Sequence, residues 1–335
     1  MLKRKSFLSG ALLLVLPLAA TADVEIYGRA NISVDLLDDG VDYSEVSMSS
    51  NSSRLGFRAN RDLDGITVLL QIEGDIDMSL AGGSNLGTRN TFLGVRGDFG
   101  TFKLGRFDTP FKSARGPANF FGDQIGDLRN LARFGNARFD ERTPNTVSYS
   151  SVDMNGFAVN VAYSLHEGDQ SSDMEDDAFS MSLTYEKGPW DVAAAYEKFS
   201  DDASRGGRDG FRLAAAYTLD ALTLGGFYQI ADHNDDSLDS DVFGIGASYK
   251  VGAKSLIKAH YFMRSADVEA SDSDMFAIGY EYRIRQPLRV YAIYGFTSND
   301  DGVNLTPWNQ GRRTDQPGIN GETASGLSVG LRYDF

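Results

Sequence analysis

The stretch Gly326-Leu327-Ser328-Val329-Gly330-Leu331-Arg332-Tyr333-Asp334-Phe335 ends the chain and alternates without a break. Leu327, Val329, Leu331, Tyr333 and Phe335 fall on one face of an extended strand, and Ser328, Gly330, Arg332 and Asp334 on the other. Successive side chains of a strand point to opposite sides, so this pattern spells a strand with one apolar and one polar face. The same period sets Val24, Ile26, Ile32, Val34 and Leu36 against Glu25, Arg29, Asn31 and Asp35. It recurs in Phe157/Val159/Val161/Tyr163/Leu165, Phe179/Met181/Leu183/Tyr185 and Phe211/Leu213/Ala215/Tyr217/Leu219.

The connections carry the topology. Seven are short, around residues 63–65, 98–100, 153–156, 187–189, 220–221, 252–253 and 286–287. Eight are longer and polar, at 38–50, 79–88, 108–142, 167–177, 200–208, 232–241, 265–274 and 299–323. Long and short take turns, and fifteen connections imply sixteen strands. An even strand number with short turns on one side and long loops on the other is the pattern of an outer-membrane barrel.

A soluble β-sandwich also alternates. Aromatic placement separates the two. Tyr185, Tyr196, Tyr217, Tyr249, Tyr282, Tyr333 and Phe335 sit near a turn or terminus, where an interfacial girdle would lie. The opposite face is small and charged (Arg212, Ala214, Ala216; Gly244, Gly246, Ser248, Lys250), as suits a wet lumen. The expected fold is all-β: a 16-stranded antiparallel transmembrane β-barrel with the long third loop folded into the lumen.

Composition narrows function. The 335 residues contain no Cys, which removes thiolate nucleophiles and Cys-ligated metal centres, and three His leave little for a His-rich one. With 32 Lys+Arg against 47 Asp+Glu the chain lacks the basic footprint of a nucleic-acid binder. An aromatic content of 11% is too high for a disordered acidic chain.

Residues 1–22 are expected to be a signal peptide, with 23–335 forming the barrel. Lys3, Arg4 and Lys5 precede an apolar run, Phe7 to Leu18, too short to span a bilayer, and Ala20-Thr21-Ala22 is a small-x-small cleavage site.

Loops 38–50, 167–177, 232–241 and 265–274 hold −4, −6, −5 and −4, together −19, whereas residues 23–335 sum to −18. The acid therefore belongs to the loop tips and not to the pore wall. Such runs are solvated surface, divalent-cation bridges to anionic lipid, or a cation-concentrating vestibule. Asp232, Asn234 and Asp236 imitate the start of a calcium loop, but Ser237 and Phe243 replace its Gly and closing Glu. No metal and no cofactor is expected.

No catalytic constellation stands out, and no enzyme is expected. Gly326-Leu327-Ser328-Val329-Gly330 matches a nucleophile-elbow pattern, which needs a strand-to-helix turn; here it lies inside an alternating strand. His166 and His233 sit at acidic loop edges, and His260 faces the lumen beside Lys258.

Loop 108–142 is far longer than an ordinary connection, and such loops are functional or disordered. Phe111, Phe120, Phe121, Ile125, Leu128, Leu131 and Phe134 give it apolar anchors that a disordered loop does not need.

At these residues the chain resembles the sixteen-stranded, trimeric general porins of the Gram-negative outer membrane. The matching stretches are Val24-Glu25-Ile26-Tyr27-Gly28-Arg29, Ser53-Arg54-Leu55-Gly56-Phe57-Arg58 and Leu93-Gly94-Val95-Arg96-Gly97-Asp98-Phe99-Gly100. Thr101-Phe102-Lys103-Leu104-Gly105-Arg106 precedes the long loop, Arg142-Thr143-Pro144-Asn145-Thr146-Val147-Ser148-Tyr149 follows it, and Phe335 ends the chain.

The resemblance implies a water-filled channel narrowed by the third loop, with acids of the loop facing a basic cluster on the wall. Carried over by position, the wall cluster is Arg29, Arg54, Arg106 and Arg142, and the loop acids are Asp123 and Asp127. Period two itself points Arg29 and Arg54 inward; Arg106 faces inward if Gly105 marks a bulge. The loop departs from the family in also carrying Arg129, Arg133 and Arg138.

The expected function is passive diffusion of ions and small hydrophilic solutes across the Gram-negative outer membrane, with weak cation or mild anion preference. The alternatives are a substrate-selective channel of the same architecture and a barrel serving as adhesin or surface scaffold. Expected partners are the solutes, outer-membrane lipid and lipopolysaccharide, and two further copies in a homotrimer, with Gly28 and Ala30 offering a small-residue packing face.

Overall fold

The computed structural model describes residues 23–79, 85–165, 177–201, 203–313 and 316–335. The expected signal peptide, His166 and all but Asp177 of loop 167–177 lie outside the described residues. Strands dominate, each antiparallel to its neighbours. The first, Asp23–Asp38, pairs with the last, Ala324–Asp334, from Arg29↔Asp334 to Asp38↔Ser325, and so closes the sheet into a barrel. Beyond that register, Gly28 and Phe335 exchange both backbone hydrogen bonds, at 2.7 and 3.0 Å.

Among the described residues the wall has sixteen strands. The second is broken into Ser44–Ser50 and Arg54–Leu63, both paired with Asp23–Asp38. The two-residue strands Arg133–Phe134 and Ala137–Arg138 form a separate hairpin inside the long loop. Loop 38–50 is shorter than the sequence suggests. Strand pairing continues to Asp38↔Ser44, because Val46 and Met48 keep the alternation and stand exposed on the outer face.

Fifty large hydrophobic side chains among the described residues are exposed, among them Leu327, Val329, Leu331, Tyr333 and Phe335, while Ser328 between them is fully buried. A soluble surface does not carry so continuous an apolar patch; a lipid-facing belt does. At the short-turn end the belt is edged by aromatic pairs, Phe157–Tyr185 at 4.5 Å, Trp190–Tyr217 at 4.6 Å and Tyr333–Phe335 at 5.5 Å. Tyr196 pairs with Phe211 toward the long-loop end of its strand, at the opposite edge of the belt.

Gly28 offers no open packing face. The Phe335 ring lies over it, and a Cβ at Gly28 would meet Phe335 Cζ at 2.6 Å.

The core of this molecule is inside the barrel. The 108–142 segment carries Phe111, Phe121, Ile125, Leu128 and Leu131, all essentially fully buried, against inward side chains of the wall. Wall glycines seat its rings: a Cβ at Gly246 would come within 2.6 Å of Phe120 Cδ2, and one at Gly279 within 3.0 Å of Phe121 Cε1. The small inward residues thus serve docking of this loop as well as hydration.

Candidate functional site

The long loop is pinned to the wall by charge-assisted hydrogen bonds. Arg212, fully buried, donates through Nη1 to Asp140 Oδ1 at 2.7 Å and to Phe111 O at 2.8 Å. Lys258 Nζ donates to Phe120 O at 2.8 Å, Gln124 Oε1 at 2.6 Å and Glu281 Oε1 at 2.5 Å. Gln229 Nε2 donates to Ala132 O at 2.9 Å, and Thr109 caps the short helix Pro110–Ser113. The Arg212 and Lys258 bonds are charge-assisted and so stronger than the neutral Gln229 and Thr109 ones.

Two cavities flank the pinned loop. A larger one of about 560 Å³ is lined by Arg29, Arg54, Arg106, Arg142 and Asp123 together with Arg89, Lys112, Arg115, Arg312 and Arg313, among others. A smaller one of about 340 Å³ is lined by Arg29, Asp123, Lys258, Glu281, Arg289 and Arg332, among others. Arg29 and Asp123 are the residues common to both linings.

Each wall arginine has a local reason for its direction. Arg29 and Arg54 occupy the polar phase of their strands and pair directly in the register. Arg106 reaches the cavity because pairing with the strand Arg142–Ser150 shifts between Gly105 and Phe107, at a glycine with φ +143°. One extra residue reverses the alternation, and glycine tolerates the positive φ. Arg106 Nε is buried with no hydrogen-bond partner among the described residues. Arg142 Nη2 lies 2.8 Å from Asp108 Oδ1.

Asp123 sits between Arg129 Nη2 at 2.8 Å and Arg29 Nη1 at 3.4 Å. Burial pushes its carboxyl up, but Arg129, then Arg29 and Arg54, outweigh that and hold it at about 2. Asp127 does not share this place. It is fully buried, absent from both linings, and accepts from Asp123 N at 2.7 Å, from Arg129 N at 3.0 Å and from the Arg129 guanidinium. Asp127 shapes the loop beneath Asp123 and is not a lumen acid. Its oxygens are taken up by Arg129, two residues on, and by the Asp123 backbone N–H.

Arg129 and Arg133 also line the larger cavity; Arg138 does not, and its Nε lies 2.9 Å from Glu141 Oε1. Sequence reasoning missed Arg312 and Arg313. The 299–323 connection folds inward too: Trp308 is fully buried in one cluster with Leu37 and Ile125, and Pro307 O accepts from Gly126 N at 2.7 Å. The available signal was its own apolar anchor, Val303-Asn304-Leu305-Thr306-Pro307-Trp308, the argument already used for loop 108–142.

The larger lining holds twelve basic and five acidic side chains. Glu73, Asp127, Asp35, Asp77 and Asp334 pair with basic ones from outside the lining. Counting these still leaves twelve against ten. A narrow passage screens such a surplus less than open solvent does.

The remaining motifs carry no site. His260 is buried between Phe121 and Phe262 at ring distances of 4.5 and 4.8 Å, and Ser328 lies in regular strand opposite Asp35 and Ile293. No cluster of metal-ligating side chains occurs among the described residues.

Comparison with known proteins agrees with this geometry. The Gram-negative porin family matches residues 9–302. The chain is 29% identical over 180 residues to the major outer membrane protein P.IA of Neisseria meningitidis serogroup C, covering 47% of this chain and 45% of that one. It is 34% identical over 146 residues to a chitoporin of Vibrio furnissii, covering 41% and 39%. The chain thus spans about half the length of the curated relatives it matches or less. In fold it superimposes on an anion-selective porin from Comamonas acidovorans with TM-score 0.81 at 22% identity, covering 94% of this chain and all of that one. It also superimposes on a trimeric form of OmpT from Vibrio cholerae with TM-score 0.69 at 22% identity, covering 94% and 99%. A closed sixteen-strand barrel, a lipid-facing belt, an inward-pinned loop and a family match over most of its length lead to one conclusion: the chain belongs to the Gram-negative porin family.

Proposed function

We propose that the chain forms a water-filled outer-membrane channel through which ions and small hydrophilic solutes diffuse passively, with a bias toward anions. One observation carries the reading: the surplus of basic side chains in the larger cavity, against acid elsewhere in the chain. The pore wall, and not the total charge, sets the field felt by an ion at the narrowest point. Arg29, Arg54, Arg106 and Arg142 supply the positive side of the constriction in this reading and Asp123 the negative side.

The channel works as a homotrimer. Support comes from the trimeric form of a fold neighbour. Gly28 contributes no packing face to such a trimer, because the Phe335 ring covers it.

Conductance in planar bilayers tests both parts. Stepwise openings in threes, with a reversal potential on the anion side in a salt gradient, are the expected record. A solute-saturable current would favour a substrate-selective channel, and absence of current would favour a surface scaffold. Unboiled gels should show a heat-sensitive species near three times the monomer mass; a monomer in every mild detergent would refute the trimer.

A further inference from the structure

We propose that Gly311, Arg312 and Arg313, carried inward by the last long connection, form a second jaw of the constriction, in which Arg313 discriminates permeating ions by charge. The inference rests on the channel reading above.

The three residues are held in place from several sides. Arg312 is a positioning residue: its guanidinium pairs with Asp35, and both side chains are fully buried, so it anchors this connection to the first strand. Ser52 Oγ donates to Gly311 O at 3.1 Å, and Arg313 N donates to Ser49 Oγ at 3.0 Å, fixing the backbone on both sides of Arg312. Gln310 N donates to Asn130 Oδ1 at 2.9 Å, and Gln310 Oε1 accepts from Arg133 at 2.8 Å, which tie the same stretch to the third loop.

Gly311 abuts the acid of the constriction. Its φ is +70°, and a Cβ there would lie 2.5 Å from Arg129 Nη2 and 2.6 Å from Asp123 Oδ1. The positive φ favours glycine, and its lack of a side chain lets the last connection close over the Asp123–Arg129 pair without displacing either side chain.

Arg313 differs from its neighbour. Its side chain is 46% exposed, lines the larger cavity, and has Asp77 Oδ2 at 3.7 Å. A half-exposed guanidinium at that distance keeps much of its field for ions in the cavity.

The test is bilayer recording on the full-length protein, comparing wild type with Arg313→Glu, Arg313→Gln and Lys198→Glu. Lys198 is exposed near the long-loop end of its strand, outside both cavity linings, and carries the same charge change. Arg313→Glu should lower the anion-to-cation permeability ratio by roughly twofold or more, Arg313→Gln by less in the same direction, and Lys198→Glu should leave it unchanged. Equal shifts from Arg313→Glu and Lys198→Glu, or no shift from either Arg313 variant, would overturn the second jaw while leaving the channel intact. A wild type that passes no current would overturn the channel reading itself and the jaw with it.

Discussion

Arg29 Nη1 and Asp123 Oδ2 face each other at 3.4 Å, and among the described residues these two line both lumen cavities. One comes from the first strand and the other from the long loop, so their contact marks where the loop meets the wall. Removing the carboxylate leaves Arg29 and Arg129 with less opposing charge at the waist. Asp123→Asn is expected to raise the anion-to-cation ratio by roughly twofold. Reversal potentials in a salt gradient measure it; a shift toward cations would show that Asp123 does not face the ion path.

The wall arginines should outrank the loop tips. Arg54→Glu with Arg106→Glu changes the lining by four charges and should move the reversal potential clearly toward cations. Asp235 and Asp236 lie on an exposed connection, where ions at about 0.15 M screen them within about 8 Å. Asp235→Asn with Asp236→Asn should therefore change little at high salt. The opposite ranking would mean that the acidic rim governs selectivity.

Selectivity should depend on pH through Lys112. Burial pushes its ammonium down to about 8, against the opposing pull of Asp108 at 3.0 Å. A lowered amine gives up its proton as pH rises through that value, so the lining loses one positive charge there. Anion preference is expected to hold at about pH 6 and to weaken by about pH 9, whereas Lys112→Arg should stay flat because a guanidinium remains charged throughout. A flat wild-type profile would count against it.

Arg212 latches the third loop. It is fully buried against Asp140, which Arg115 also approaches at 3.0 Å. Breaking a buried pair leaves an under-compensated charge, and Arg212→Ala is expected to destabilise the barrel by about 3 kcal/mol. Denaturant unfolding in detergent gives the stability, and noisier single-channel traces should accompany the loss. Unchanged stability and quiet traces would show that the apolar anchors hold the loop unaided.

The long connections should be extracellular. An epitope inserted within residues 234–239 is expected to bind antibody on intact cells, and one within residues 252–254 is not. Labelling of the second alone would invert the topology.

Much of the wall was legible because a membrane strand has a period of two and little freedom to break it. Strand number, closure, the lipid face and the inward direction of Arg29 and Arg54 all follow from that local rule. Even the bulge was conditional on one readable residue, Gly105. Loop 38–50 was misjudged where serines and Glu45 masked a continuing alternation in Val46 and Met48.

Alternation, strand number and barrel closure were thus determined by sequence alone. The tertiary structure decided which charges line the cavities. Asp123 and Asp127 are four residues apart in one loop with the same chemistry, yet the first lines both cavities and the second is consumed by Arg129. Arg312 and Arg313 are adjacent, yet one is buried on Asp35 and the other half-exposed in the cavity. Irregular loops have no fixed period, so the direction of each side chain is set by long-range contacts such as Trp308 on Ile125 and Arg212 on Asp140. Those contacts join residues far apart in the chain, and only the closed barrel brings them together.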